Sequence, residues 1–310
     1  MRRHGKTTAG KQRWLCLICT STRIHTRYDT RIRHLLTYFI HWLTGVIELA
    51  GIARARGVSR KHLSTLFLPL WDLPAPQPSP IPVSLPLLIV DGVYLSGRVN
   101  AALVGHTGNA VVTWDFCERE CYVAWRSFLS RFTHIHTIVM DGQKGLSEAV
   151  HEMFPHTKIQ RCVVHVERYV RIRLSRNPTT EAGRSLWHLM RSIWDVHTIE
   201  DAKVWKDRFQ TWNHTNESFL RERSYAIDGT HWWYTHRMIR SARSHLIRAL
   251  PYLFTYTTDP TIPRTTNHVE GGVNSRLKEL VRRHRGLSPK RKRVMASYYF
   301  EARKNTQKVT

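Results

Sequence analysis

The sequence predicts an α/β protein with three parts: a small helical N-terminal region, a mixed-sheet core and an all-helical insertion that interrupts the core. Three observations carry this prediction. Short apolar runs bounded by turn residues cluster between residues 85 and 164. From about Val166 to Phe254 strand patterning vanishes and the spacing is helical. Between the N-terminal helices and the first strand, Pro69–Pro86 holds seven of the thirteen prolines, which reads as an extended linker and a domain boundary.

Composition narrows the function. The 310 residues are 42% hydrophobic and 23% charged, as in a folded protein of roughly two domains. The net charge is +25, and it sits at the ends: residues 1–62 carry net +11 and residues 276–310 net +10. Basic ends around a near-neutral centre point to a polyanion partner. They argue against a small-molecule enzyme of acidic character and against a secreted disulfide scaffold. No apolar run is long enough for a membrane span, and no signal peptide is evident. The five cysteines are an odd number, which fits a reducing compartment. The expected location is therefore the cytoplasm, in association with the nucleoid.

Residues 1–30 are basic, without evident periodicity, and contain Cys16-x-x-Cys19, half of a zinc ribbon. Residues 31–68 read as helices. Ile47–Arg56, Gly57-Val58 and Ser59–Phe67 fit a helix-turn-helix, with Ser59 as N-cap and Arg60, Lys61 and His62 facing outward for DNA; an ordinary helical hairpin fits the same pattern. After the linker (69–86), strands are expected at Leu85–Val90, Ala101–Gly105, Ala110–Phe116, Thr137–Met140 and Lys158–Val164, with helices at Cys121–Phe132 and Leu146–Phe154. Residues 87–165 form the first part of the core and 166–262 the insertion, whose tryptophans are expected in a helical core or, in one or two cases, stacked on bases. Residues 263–310 return as a core helix followed by a basic tail. In that helix Val269, Val273, Leu277 and Val281 make one buried face, while Asn267, Glu270 and Asn274 share an exposed stripe.

Two apolar strands end in Asp-Gly, at Asp91-Gly92 and Asp141-Gly142. Polar groups at strand ends of an α/β sheet face the ligand crevice, although an aspartate there also caps its own turn. Together with the helical Glu270 they form the minimal carboxylate set for two divalent cations on a phosphodiester, and hard oxygen donors select Mg²⁺ or Mn²⁺. Cys162 and His165 have a metal-like spacing but no second pair, and read as a support for the site.

These residues resemble the DDE triad of RNase H-like transposases, in particular bacterial insertion-sequence enzymes related to Mutator-like elements. Asp141-Gly-Gln-Lys-Gly is similar to the segment of the second aspartate. Gln160-Arg-Cys162-Val-Val-His165 resembles the Cys/Asp-x-x-His motif, and Thr265-Thr-Asn267-His-Val-Glu270-Gly-Gly-Val-Asn274 the segment of the glutamate. The resemblance implies an RNase H-like core with a long insertion. It implies catalysis and metal binding by Asp91, Asp141 and Glu270, with Cys162, His165, Asn267 and Asn274 in support. It also implies strand cleavage and transfer on double-stranded DNA by a homo-oligomer.

In that family a second Cys-x-x-Cys pair precedes Cys16. This sequence shows none, so a truncated or mis-started zinc ribbon, or one that has lost its metal, is expected; His4 and His25 are the alternative ligands, and Zn²⁺ is not expected in the chain as it stands. DNA contacts are expected from Arg60, Lys61, His62, Lys278, Arg282, Arg283, Lys290, Arg291, Lys292 and Arg293. Two alternatives stay open: a DNA-binding derivative without catalysis, and a plain RNase H-like nuclease.

Overall fold

The computed structural model describes residues 1–24, 27–78 and 84–304, with residues 27–30 as backbone only. The chain divides into two compact units, Met1–Pro76 with Arg283–Tyr299, and Gln77–Arg282 with Phe300–Thr310.

In the first unit the N-terminal segment departs from expectation. It is a three-stranded antiparallel meander of β1 (Arg2–Lys6), β2 (Gln12–Leu15) and β3 (Thr22–Ile24). Its strands are mostly exposed, so no alternating apolar face marks them in the sequence. Cys16 and Cys19 occupy the turn after β2, where Cys16 N–H donates to Ser21 O at 2.9 Å. His25, a conceivable further ligand there, lies outside the described residues.

Three helices come next: α1 (Arg27–Leu43), α2 (Leu49–Ala55) and α3 (Arg60–Phe67). Ser59 caps α3 by accepting from His62 N–H at 3.1 Å, leaving Arg60, Lys61 and His62 exposed. Phe39, Leu43, Ile52, Leu63 and Phe67 form the core, and Phe39 meets Trp71 edge-on at 5.0 Å. Trp71 belongs to a 3₁₀ turn, Leu68–Asp72, so the first residues assigned to the linker are folded structure. Residues 79–83 lie outside the described set.

The second unit is built on a five-stranded mixed sheet in the order β6-β5-β4-β7-β8. β4 (Ser84–Ser96), β5 (Val99–His106) and β6 (Val111–Cys117) are antiparallel; β7 (His134–Met140) and β8 (Lys158–Arg161) continue from β4 in parallel. α4 (Tyr122–Leu129) and α5 (Lys144–Met153) bury Trp125, Phe128, Leu146 and Val150 with Leu88 and Val90 of β4. The two-residue period then turns Asp91, next to Val90, to the opposite face.

α4 and α5 approach closely at Gly145, where a Cβ would lie 2.5 Å from Tyr122 N. A backbone atom cannot swing aside as a side chain can. Gly145→Ala is therefore expected to destabilise the fold by roughly 1–3 kcal/mol, the usual cost of overpacking, measurable by denaturant unfolding.

The insertion contains α6 (Val163–Leu174), α7 (Glu181–Arg191), α8 (Ile199–Thr215), α9 (Glu217–Arg221) and α10 (Arg237–Ala249). It is not all-helical: β9 (Arg223–Tyr225) and β10 (Trp232–Tyr234) form an antiparallel hairpin between α9 and α10. Only three residues pair on each side, too short to show as alternation in the sequence. Trp205 and Trp212 are buried on one face of α8 as expected, and each indole N–H donates to a carbonyl of α7, at Leu189 and Ala182. Trp187 and Trp194 do not share one helix, because α7 ends at Arg191.

The chain returns to the sheet through Gln160 of β8, which accepts from Tyr256 N–H at 2.9 Å and donates to Leu253 O at 3.0 Å. It closes with α11 (Asn267–Val269), a π-turn over Glu270–Asn274, α12 (Ser275–Arg283) and α13 (Pro289–Lys304). α13 is not a free basic tail, because Met295, Ala296, Tyr299 and Phe300 are all buried in it. Lys308 lies outside the described residues.

Candidate active site

The two aspartates sit at the carboxyl edge of the parallel strands, but not in equivalent ways. Pairing of β4 with β7 stops at Ile89↔Val139, whereas its pairing with β5 runs on to Ser96↔Val99. Asp91 is therefore inside its strand on one side and past the end of the ladder on the other, rather than at a simple strand end. It is 8% exposed. Asp141 directly succeeds β7, and its Oδ1 accepts from Gln143 N–H at 2.8 Å. The turn needs Gly142, whose φ is +74° and whose missing Cβ leaves room for the Arg161 guanidinium.

Glu270 opens the π-turn. Its Oε1 accepts from Arg168 Nη2 at 2.9 Å, and His165 Nε2 lies 3.7 Å from Oε2. The segment before it is held by Cys162. The Cys162 thiol accepts from both the N–H and the hydroxyl of Thr266 at 3.3 Å, and Cys162 N–H donates to Met140 O at 2.8 Å. Cys162 thus joins the end of β7 to the glutamate segment, and His165, one turn along α6, faces the acid itself.

Asn274 is a correction to the expected exposed stripe. The π-turn inserts one extra residue and so rotates the residues after it by about 100° around the helix axis. Asn274 is consequently buried beside Val273 and donates through Nδ2 to Asp91 Oδ2 at 2.7 Å. Among the described residues its Oδ1 has no partner. Asn267 is exposed as expected, and Val269, Val273 and Leu277 are buried, while Leu280 replaces Val281 as the most buried residue of the last turn.

The acids feel one another. Burial first, then the charge of Asp141 with a smaller part from Glu270, pushes Asp91 up to about 7, against the pull of His165 and the Asn274 hydrogen bond. Burial works against a charged His165, but the hydrogen bond and charge of Cys162, with Asp141 and Glu270, outweigh it and lift the ring to about 9. Burial likewise opposes the Cys162 thiolate, and its bonds to His165 and Thr266 lower the thiol overall.

Sequence reasoning missed Glu120. It stands just before α4 and is pushed up to about 7 by burial and then by the charges of Asp91 and Asp141. Arg168, the partner of Glu270, was also missed. Neither position carries a periodic or motif signal in a single sequence.

These raised acids make the metal-free protein pH-sensitive. The folded state keeps protons on Asp91 and Glu120 that the unfolded chain has released above about pH 4. Their contribution is present below that value and is lost as pH rises to about 7. The melting temperature of metal-free protein is expected to fall over this window, and Asp91→Asn to flatten the fall.

Oxygen donors with uncompensated buried charge suit a hard divalent cation. Among the described residues no group of three or more His, Cys, Asp or Glu encloses a metal position, and Glu270 is engaged by Arg168 and His165.

Of the residues expected to touch DNA, Arg60, Lys61, His62, Lys278, Arg282, Arg283 and Lys290 are exposed. Lys278 also lies close enough to lower Glu120. Arg291 is stacked over Trp71 at 4.9 Å, and Lys292 and Arg293 are half-buried.

Residues 91–224 match the family model described as Transposase, Mutator family. A stretch of 105 residues is 24% identical to the transposase for insertion sequence element IS905 of Lactococcus lactis subsp. lactis (strain IL1403). That match spans 29% of this chain and 27% of the relative, so the chain covers about a quarter of that protein's length.

Proposed function

We propose that this chain, whose residues 91–224 match the Mutator family of transposases, is a DDE transposase that cleaves and transfers DNA strands of an insertion sequence. One observation carries the reading: Asn274, four residues past Glu270, hydrogen-bonds Asp91 at 2.7 Å, and Asp91 feels the charges of both Asp141 and Glu270, although the three acids are far apart in sequence. Asp91 and Asp141 lie within the matched residues and Glu270 beyond them. The strand order, three antiparallel strands and then two parallel ones, supports an RNase H-like core.

Asp91 and Asp141 would hold a pair of Mg²⁺ or Mn²⁺ ions from the sheet side, and Glu270 from the helix side. When bound, the ions supply Lewis acidity at the attacking and leaving oxygens of an in-line displacement at phosphorus. Asn274 orients Asp91 through its 2.7 Å hydrogen bond. Cys162 fixes the segment that carries Glu270, and charged His165 and Arg168 hold that carboxylate in the metal-free state. The exposed cations of α3 and α12 would grip phosphates, α2 and α3 serving as a helix-turn-helix. Joining two element ends calls for a homo-oligomer, and the substrate places the protein on the nucleoid in the cytoplasm. No described helix is long and apolar enough to cross a membrane.

DNA affinity should fall steeply with salt, each neutralised phosphate adding about −0.9 to the slope of log K against log salt. Replacing Arg60 and Lys61 with alanine is expected to flatten that slope by about 1–2, read by fluorescence anisotropy across a salt series.

The reading is tested by a Mg²⁺-dependent nicking assay on element-end DNA, comparing the parent chain with Asp91→Asn, Asp141→Asn and Glu270→Gln. Loss of nicking in all three supports it, and nicking that survives them sinks it. The engagement of Glu270 by Arg168 and His165 favours a second reading, a DNA-binding derivative without catalysis; it predicts that the parent chain does not nick at all.

A further inference from the structure

Glu120 is placed from three directions. Its N–H donates to Tyr94 Oη at 3.4 Å, three residues past Asp91 on β4. Its carbonyl accepts from Gln143 Nε2 at 3.2 Å, and the same Gln143 donates its own N–H to Asp141 Oδ1. The backbone of Glu120 is therefore braced against the chain segments of both aspartates.

The side chain is placed as firmly. A Cβ built on Gly92 would lie 2.3 Å from one Glu120 carboxylate oxygen and 2.5 Å from the other. The carboxylate thus occupies the space that glycine leaves open, one residue along β4 from Asp91. Among the described residues this carboxylate makes no hydrogen bond and no ion pair. Lys278 is near enough to act on its charge without pairing with it.

A half-buried acid that feels the charges of Asp91 and Asp141 and has no partner carries its own charge unfavourably unless a cation offsets it, a proton being the alternative at low pH. A second observation points the same way. Asn274 is 1% exposed, and its Oδ1 is unpartnered although its Nδ2 holds Asp91. A buried amide oxygen on the residue that holds Asp91 is one more hard donor for a cation at that acid.

We propose that Glu120 is a fourth carboxylate of the site and shares with Asp91 the binding of one divalent cation. This rests on the reading of Asp91, Asp141 and Glu270 as the metal-holding set. It also gives Gly92 a steric reason: any side chain there displaces the acid.

The test is Mn²⁺ binding to the full chain without DNA, by calorimetry and by the Mn²⁺-induced rise in melting temperature. The variants are Glu120→Gln, Gly92→Ala and Asp91→Asn. Glu120→Gln is expected to weaken binding at least tenfold, since even partners outside the coordination shell are worth roughly 10–100-fold. Gly92→Ala, which alters no acid, is expected to weaken it in the same direction. Circular dichroism melts of the metal-free proteins separate loss of binding from loss of fold. If Asp91→Asn abolishes binding while Glu120→Gln and Gly92→Ala bind as the parent does, Glu120 only braces its loop and the inference falls alone. If the parent chain binds no Mn²⁺, or Asp91→Asn binds it unchanged, the reading of the site falls and takes this inference with it.

Discussion

Replacing Asp91 with asparagine is expected to reduce Mg²⁺-dependent strand cleavage by about a thousandfold or more, while the metal-free protein melts at the same or a higher temperature. The two halves have one cause. Asp91 is a buried acid whose charge is opposed by burial and by Asp141. That unfavourable arrangement is relieved by a proton at low pH and by a cation above about pH 7. An amide there removes the buried charge yet still offers an oxygen to Asn274 Nδ2, so the contact to the π-turn survives. It does not supply an anionic ligand to a cation. Metal stabilisation of the transition state is worth several kcal/mol, and about 4 kcal/mol corresponds to a thousandfold at 1.36 kcal/mol per tenfold. Cleavage rates on a nicked-product gel and a thermal melt in chelator read the two halves. A variant that loses cleavage because it unfolds would contradict the account.

Deletion of residues 288–310 is expected to abolish cooperative unfolding, not merely to remove charge. The basic composition of this segment reads as a solvated tail whose loss would only flatten the salt dependence of DNA binding. The structure overturns that expectation. Met295 and Tyr299 are at most 1% exposed in the first unit. In the second unit Phe300 is buried against Trp114 of β6, with ring centroids 5.5 Å apart. Truncating a single buried side chain of this size costs about 2–5 kcal/mol, and whole domains are stable by only about 5–15 kcal/mol. Loss of all of them exceeds what either unit can absorb. A denaturant titration monitored by tryptophan fluorescence distinguishes a sharp transition from a gradual one.

The contrast between these two regions shows what the sequence makes legible. The sheet strands are short apolar runs ended by turn residues, and burial on both faces writes such runs directly into the chain. Asp91, Asp141 and Glu270 stand out in the sequence as candidates because two follow apolar runs and one lies in a polar stripe opposite a valine ladder. Asn274 was misplaced because a π-turn leaves no mark in a pattern counted at 3.6 residues per turn. The glycines at 271 and 272 were the available hint, since both are exposed and glycine weakens a regular helix. α13 was misread because its apolar residues are interleaved with arginines and lysines, and burial there is decided by long-range partners. Glu120 was missed because its role depends on what Gly92 lacks, which is visible only once β4 and the start of α4 are side by side.

The acids at the edge of the parallel strands are proposed to hold divalent cations. The most direct test is anomalous scattering from a crystal of the full chain soaked in Mn²⁺. Two manganese peaks are expected, about 3.5–4 Å apart, with Asp91 ligating and with Asp141 and Glu270 each reaching at least one. Well-diffracting soaked crystals with no peak within bonding distance of the Asp91 carboxylate would contradict it.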